Sequence, residues 1–206
     1  MTHFNCEAYY SDQSLRDYGF KLIQLEVEDL LYLKNSIESE MWTPDLDGLY
    51  KEIPCWANRH LRVPQEKYES FDDCAVNNVP EHYQSWCLKI VKKYLPTFIT
   101  KGINPRIDIC LWNGSGESKW HGDNDGKSTN LDSFTFLLYH IPIPLKDDDG
   151  GFVSIKQNKA SANSIDIFPL DGMGILLEVK SQNFLHRAQK VCSHKDRYTL
   201  SIGLKS

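Results

Sequence analysis

Residues 133–141 read Ser-Phe-Thr-Phe-Leu-Leu-Tyr-His-Ile, an apolar and aromatic run that predicts a buried β-strand. Similar runs recur through the second half of the chain and are separated by clusters of Gly, Asn, Asp, Ser and Lys. They predict strands at residues 106–112, 151–155, 164–168, 174–179, 184–191 and 197–204. Closely spaced short strands are typical of a sandwich or a barrel. The sequence therefore predicts a β-rich part over residues 106–206.

The first half, residues 1–105, has a different character. Residues 18–25 alternate like a strand, whereas residues 28–40 carry apolar side chains at helical spacing after an acidic start. Apolar and aromatic residues three and four apart at 83–95 predict an amphipathic helix, whose aromatic stripe we interpret as core. Residues 42–78 show little periodicity and are predicted to be mostly loop. The predicted class is α+β, mainly β, with N-terminal helices packed on the β-rich part.

Length and charge narrow the possible functions. The 206 residues predict a single domain, 1–206, with a sizeable core. Lys and Arg number 23 against 28 Asp and Glu, which argues against a general nucleic-acid binder but leaves a local basic groove open. No apolar run approaches the roughly 20 residues of a membrane helix, and the first residues lack a signal pattern. We expect a cytoplasmic protein. Its six scattered cysteines form no CxxC and are interpreted as reduced core thiols.

A His-x-Asp pair, His121 and Asp123, carries the strongest chemical signal. On an extended chain residues i and i+2 point to the same side, so one imidazole and one carboxylate converge. Together they offer two ligands of a 2-His-1-carboxylate triad, which leaves three metal positions open. A second match, His194 and Asp196, lies in a polar stretch between two apolar runs and is interpreted as an exposed turn. Only the first pair is followed by another histidine in an apolar strand, His186.

Arg197 begins the last predicted strand, and Thr199 and Ser201 share its face. A turn at residues 192–196 is expected to pair this strand with the one that bears His186. A buried arginine needs a partner, which a dicarboxylate co-substrate would supply through a bidentate pair. The alternatives are an arginine that reaches the rim of the barrel or one paired with an aspartate from elsewhere in the chain.

The segment from Arg106 to Leu204 resembles the double-stranded β-helix domain, a cupin-like jelly roll, of the iron(II)/2-oxoglutarate-dependent dioxygenases. The resemblance rests on the order His-x-Asp, distal His, and then an Arg about ten residues later with hydroxyl residues after it. Further parallels are the run 134–139 followed by Gly150-Gly151, the turn 169–172 ahead of an apolar strand, and Tyr18-Gly19-Phe20 ahead of a helix.

This resemblance implies a hydroxylase chemistry and a set of site residues. His121, Asp123 and His186 would bind Fe(II), and 2-oxoglutarate and O2 would take the open positions, giving succinate and CO2. Arg197, with Thr199 or Ser201, would bind the distal carboxylate of 2-oxoglutarate. Asp123 argues against halogenation, because halogenating relatives have a small residue there, and implies hydroxylation or another oxidation such as desaturation. Many relatives carry a Tyr on the strand before His-x-Asp; here that strand ends Leu111-Trp112-Asn113, so the third 2-oxoglutarate contact stays unassigned.

The substrate is not specified by the sequence. A small molecule, an amino acid or a peptide side chain is favoured over an alkylated base, and the oligomeric state stays open. Candidate substrate contacts are Trp42, Trp56, Arg59, Arg62, Asn113, Trp120 and Asp125. Two other functions remain: a cupin-like metal enzyme in which Arg197 pairs with a protein carboxylate, and a non-catalytic β-barrel binding module with structural histidines.

Overall fold

A computed structural model describes residues 6–38, 43–44, 56–57, 81–96, 106–112, 118, 120–123, 133–158, 160–179, 183–192 and 195–204. Within these ranges the α-helices are α1 (Asp12–Tyr18), α2 (Val27–Glu38) and α3 (Glu81–Tyr94), and short 3-10 helices lie at Cys6–Tyr10 and Asp147–Asp149. The strands are β1 (Phe20–Gln24), β2 (Thr43–Pro44), β3 (Trp56–Ala57), β4 (Arg106–Trp112), β5 (Phe134–His140), β6 (Val153–Gln157), β7 (Ile165–Ile167), β8 (Met173–Glu178), β9 (Phe184–Ala188) and β10 (Arg197–Leu204). Each strand predicted in the second half is present.

The strands form two antiparallel sheets. The larger sheet has the order β1-β8-β5-β10-β4-β3-β2, and the smaller has the order β7-β6-β9. An apolar cluster joins them, with Phe20 and Ile175 from the large sheet and Val153 and Ile155 from the small one. Two facing antiparallel sheets with N-terminal helices confirm the predicted double-stranded β-helix. The predicted loop at 42–78 lies outside the described residues, except for β2 and β3.

Strands β5 and β8 of the large sheet contribute buried side chains on both faces. Leu200, Ile202 and Leu204 of β10 belong to a second apolar cluster, which includes Ile37 of α2 and Ile90 of α3. Because side chains alternate along a strand, the residues between them face the space between the two sheets. This alternation matches the sequence of β10, in which Arg197, Thr199 and Ser201 alternate with the apolar residues of that cluster.

One predicted pairing is wrong. The strand with His186, β9, pairs with β6 of the small sheet, whereas β10 lies between β4 and β5 of the large sheet. The connection does not form a tight hairpin because the loop before β6 holds it: Val191 bridges Gly150, and Lys195 Nζ donates to the Asp149 carboxylate at 2.7 Å. The chain therefore crosses from one sheet to the other before Arg197.

Helices α2 and α3 are joined by a polar contact around Asp29, which is 3% exposed. Burial alone would raise its pKa, but hydrogen bonds from Lys93 (2.6 Å) and Tyr94 (2.7 Å) outweigh burial, so the pKa of Asp29 is lowered. The same contact raises the pKa of Lys93, chiefly through its hydrogen bond to Asp29.

Two remaining expectations concern the thiols and the membrane. Both Cys87 and Cys192 are free thiols; Cys87 is buried as expected, whereas Cys192 is exposed, so the interpretation of Cys192 as a core thiol is wrong. Burial raises the pKa of the Cys87 thiol, as expected for an inert core residue. None of the described helices is both long and apolar enough to cross a membrane.

Candidate metal centre

The segment from Ser118 to Asp123 lies along the free edge of β9. His121 and His186 exchange two backbone hydrogen bonds, of 3.0 and 2.9 Å, and the Ser118 amide donates to the Ala188 carbonyl at 2.9 Å. Directly opposed residues in an antiparallel pair point their side chains to the same face. Backbone pairing therefore brings together two histidines that are far apart in sequence.

The three predicted ligands converge. The imidazole centroids of His121 and His186 are 4.4 Å apart, and Asp123 Oδ1 lies 3.3 Å from His186 Nε2 and 3.7 Å from His121 Nε2. One ligand atom from each residue lies within 4.8 Å of the others. This nitrogen, nitrogen, oxygen set fits a first-row divalent metal and matches the 2-His-1-carboxylate arrangement of iron(II) sites, with three positions left for other ligands.

The burial of the three residues differs. The His186 side chain is 10% exposed and that of Asp123 12%, whereas that of His121 is 37% exposed. The site is therefore closed on the β9 side and more open at His121. An open side is what a site that admits small reactants requires.

Thr135 of β5 connects the metal centre to the large sheet. Its hydroxyl donates a short hydrogen bond to Asp123 Oδ2, and Thr135 itself is buried. Since Oδ2 is engaged, Oδ1 is the oxygen directed at the two imidazoles. Sequence reasoning missed Thr135, because the apolar run of β5 does not reveal that this hydroxyl meets a carboxylate 12 residues earlier in the chain.

Arg197 is completely buried. Its Nη1 donates to the Gly151 carbonyl at 2.5 Å. Gly151 has a φ of 80°, and a Cβ there would lie 3.0 Å from Leu145 and 3.2 Å from Val191, so this position requires glycine. The Gly150-Gly151 pair noted in the sequence thus brings the loop before β6 against the guanidinium.

Tyr139 of β5 lies in the same buried region. Burial raises the pKa of Tyr139, and the nearby charge of Arg197 partly opposes that shift. Thr199 of β10 is opposite Tyr139 in register, and Ser201 is opposite Leu137. Among the described residues none hydrogen-bonds to the Tyr139 or Thr199 hydroxyl. Tyr139 is thus a candidate third polar group at this end of the site, which sequence reasoning missed because its run looked like ordinary core.

The remaining residues singled out in the sequence are only partly described by the structure. Trp120 is described and contacts two cations, Lys156 and Arg187. Asp196, from the second His-x-Asp match, lies 3.5 Å from the Tyr198 hydroxyl, while His194 is outside the described residues. Five predicted substrate contacts also lie outside them: Trp42, Arg59, Arg62, Asn113 and Asp125. For Trp56 only the backbone pairing in β3 is described.

No protein-family model matches the chain, and no curated protein matches it in sequence. Solved structures do match. A prolyl-4-hydroxylase from Pseudomonas putida is similar over 98% of this chain and 99% of its own, with 12% identity and a TM-score of 0.62. A 2OG-Fe(II) oxygenase family oxidoreductase from Burkholderia pseudomallei covers 94% and 89%, with 14% identity and a TM-score of 0.65. A Trichoplax adhaerens prolyl hydroxylase, in complex with a hypoxia inducible factor oxygen degradation domain peptide fragment, covers 93% and 86%, with 16% identity and a TM-score of 0.59. These likenesses establish the fold: the described residues form a double-stranded β-helix with N-terminal helices, as in these oxygenases.

Proposed function

We propose that this chain is a non-haem iron(II) oxygenase that uses 2-oxoglutarate as co-substrate and hydroxylates its substrate. The observation that carries the proposal is the convergence of His121, Asp123 and His186, with ligand atoms within 4.8 Å of one another. Two histidines and one carboxylate on one side of the metal are the donor set of iron(II) oxygenases. The whole chain, residues 1–206, acts as one catalytic domain.

Iron bound at this triad would supply the oxidation of 2-oxoglutarate by O2 to succinate and CO2, coupled to insertion of one oxygen atom into a substrate C–H bond. The protein contributes ligation and orientation. His121, Asp123 and His186 bind one side of the ion, and Thr135 holds the Asp123 carboxylate so that Oδ1 faces it. Because Asp123 fills the third protein position, no site is left for a halide, and the expected outcome is hydroxylation.

The distal carboxylate of 2-oxoglutarate binds at the other end of the space between the sheets. Arg197 supplies the charge there, and a carboxylate forms charge-assisted hydrogen bonds with a guanidinium. Tyr139 and Thr199 donate hydroxyl hydrogen bonds to the same group, and Ser201 lies two residues further along β10. Support comes from the burial of Arg197, Tyr139 and Thr199, which excludes water from the pair.

The substrate class proposed is a peptide side chain or a free amino acid. The prolyl hydroxylases among the similar structures, one of them bound to a peptide fragment, support this choice over other small molecules. The exposed side of His121 is where such a substrate would approach the metal.

Anaerobic titration with iron(II), with and without 2-oxoglutarate, tests the proposal. The expected result is one iron per chain and a weak visible charge-transfer band that appears only when both are present. Succinate formation on admission of O2 should follow. Iron binding without any band or succinate would favour a metal enzyme that does not use 2-oxoglutarate. A chain that binds no iron would refute the proposal and favour a non-catalytic binding module.

A further inference from the structure

The outer face of the small sheet carries a contact that the proposed chemistry does not use. The Trp120 ring is approached by two cations, with Lys156 Nζ 4.6 Å and the Arg187 guanidinium carbon 4.8 Å from its centroid. Both distances are within the roughly 6 Å at which a cation is attracted to an aromatic face. Trp120 directly precedes the metal-ligand candidate His121.

The strand register explains how these three side chains meet. Since His121 bridges His186, the neighbouring residues Trp120 and Arg187 also lie beside each other across the same pairing. Lys156 of β6 is opposite Leu185, the residue two before Arg187. Side chains alternate between the faces of a sheet, so Trp120, Arg187 and Lys156 occupy the face opposite to that of the imidazoles.

Within the described part of the chain, neither Lys156 nor Arg187 forms an ion pair. The buried Nε of Arg187 also has no hydrogen-bond partner. Within the described residues, the Trp120 ring is thus the group that both positive charges contact. Because the two cations come from different strands, their contact with one ring joins the edge segment to both β9 and β6.

We propose that Trp120, held by Lys156 and Arg187, is a positioning residue that fixes the segment from Ser118 to Asp123 against β9 and so sets the geometry of His121 and Asp123. This inference rests on the proposed metal site. The segment supplies two of the three ligands, yet its backbone is joined to β9 only through Ser118 and His121 among the described residues. Loosening the segment increases the ordering that metal binding must impose, so the affinity for the metal falls.

Manganese(II) binding to the whole protein, followed by the electron paramagnetic resonance of the free ion, measures this affinity without turnover. Trp120→Leu removes the ring and should weaken binding about tenfold, the low end of what loss of an outer contact costs at a metal site. Trp120→Phe keeps an aromatic face and should restore most of the affinity. The double variant Lys156→Met/Arg187→Met should approach the effect of Trp120→Leu.

Lys190→Met is the matched control, because it removes an exposed positive charge just beyond β9 that does not contact the ring. It should bind manganese like the wild type. Thermal unfolding of each metal-free variant separates a positioning effect from general loss of stability. The expected pattern is a weakened affinity in Trp120→Leu while the metal-free unfolding temperature changes little.

An affinity in Trp120→Leu equal to that of the wild type would overturn the inference while leaving the metal site intact. A loss in Trp120→Leu that the double variant does not share would overturn the role of the two cations. A wild-type protein that binds no manganese and no iron would instead refute the proposed function, and the inference with it.

Discussion

The two sheets that enclose the candidate site hold their polar residues in different ways. Arg197 and Thr199 lie on β10, which pairs over seven residues with each of β4 and β5 and packs one face against an apolar cluster. His121 and Asp123 lie on an edge segment joined to β9 through a few backbone hydrogen bonds. The position of β10 is thus fixed by strand pairing on both of its edges, whereas the edge segment has fewer backbone hydrogen bonds and carries two of the three candidate ligands. Substitutions in the two regions should change different measured quantities.

The largest effect is expected for Asp123→Ala, which removes the only carboxylate of the triad. Iron(II) affinity should fall by at least about 100-fold, because ligand loss exceeds the 10- to 100-fold cost of altering an outer contact. Calorimetric titration under anaerobic conditions measures it. Asp196→Ala is the control, since Asp196 belongs to the second His-x-Asp match and is not part of the cluster of His121, Asp123 and His186. Equal losses in both variants would contradict the assignment of the metal to the first pair.

Arg197→Leu should produce the sharpest contrast between the regions. The apparent KM for 2-oxoglutarate should rise on the order of 100-fold, since losing one partner of a buried charge pair costs about 2–5 kcal/mol. Iron affinity should change little, because Arg197 is not one of the three candidate ligands. Iron titration and succinate assays on the same preparation give both numbers. An unchanged KM would remove Arg197 from co-substrate binding and revive its pairing with a protein carboxylate.

Thr135→Val tests the one described side-chain contact between the large sheet and the metal ligands. Loss of the hydroxyl frees Asp123 Oδ2, so metal affinity should fall about tenfold, while the KM for 2-oxoglutarate changes less. Thr135→Ser keeps the hydroxyl and serves as the control. If Val and Ser behave alike, the hydrogen bond to Asp123 does not contribute to metal affinity.

Tyr139→Phe should have a smaller effect on the co-substrate alone. One hydrogen bond to a carboxylate contributes about 1.5 kcal/mol, so the KM should rise about tenfold without a change in iron affinity. The phenyl ring keeps the packing between the sheets. A KM equal to that of the wild type would mean that the Tyr139 hydroxyl does not contact 2-oxoglutarate, and the third contact would remain unassigned.

Much of the fold could be predicted because its signals are local. The alternation and turn residues around β5, β8 and β10 reveal strands, and the spacing in α3 reveals an amphipathic helix. The triad could also be predicted, since His-x-Asp followed by a distal His is a pattern along the chain. The convergence of His121 and His186 agrees with that prediction.

Sheet membership could not be predicted because it depends on contacts between segments far apart in the chain. The expected pairing of β9 with β10 is wrong because Gly150 and Asp149 contact the connection between the two strands and direct it to the other sheet. Thr135 and Tyr139 were missed because their roles depend on tertiary contacts: Thr135 through its hydrogen bond to Asp123, and Tyr139 through its register with Thr199 of β10. An apolar run does not reveal which of its few polar atoms face a site.

The smallest effect on the site is expected for Asp29→Asn, which alters the contact between α2 and α3. This variant tests whether the candidate site is independent of the helices that pack on the large sheet. Because the folded-state pKa of Asp29 is lowered, its carboxylate stabilises the fold above the ordinary pKa near 4, and this contribution disappears as the pH falls through the folded value. The variant should lose about 1–2 kcal/mol of unfolding free energy at pH 7, and the difference should shrink in acid. Denaturant unfolding across pH measures this difference. Glu26→Gln, which removes the exposed partner of Lys93, is a near-neutral control.

Metal affinity and the KM for 2-oxoglutarate should stay at wild-type values in Asp29→Asn, because the contact lies on the helix side of the large sheet. A change in either quantity would mean that the helix layer also sets the geometry of the site.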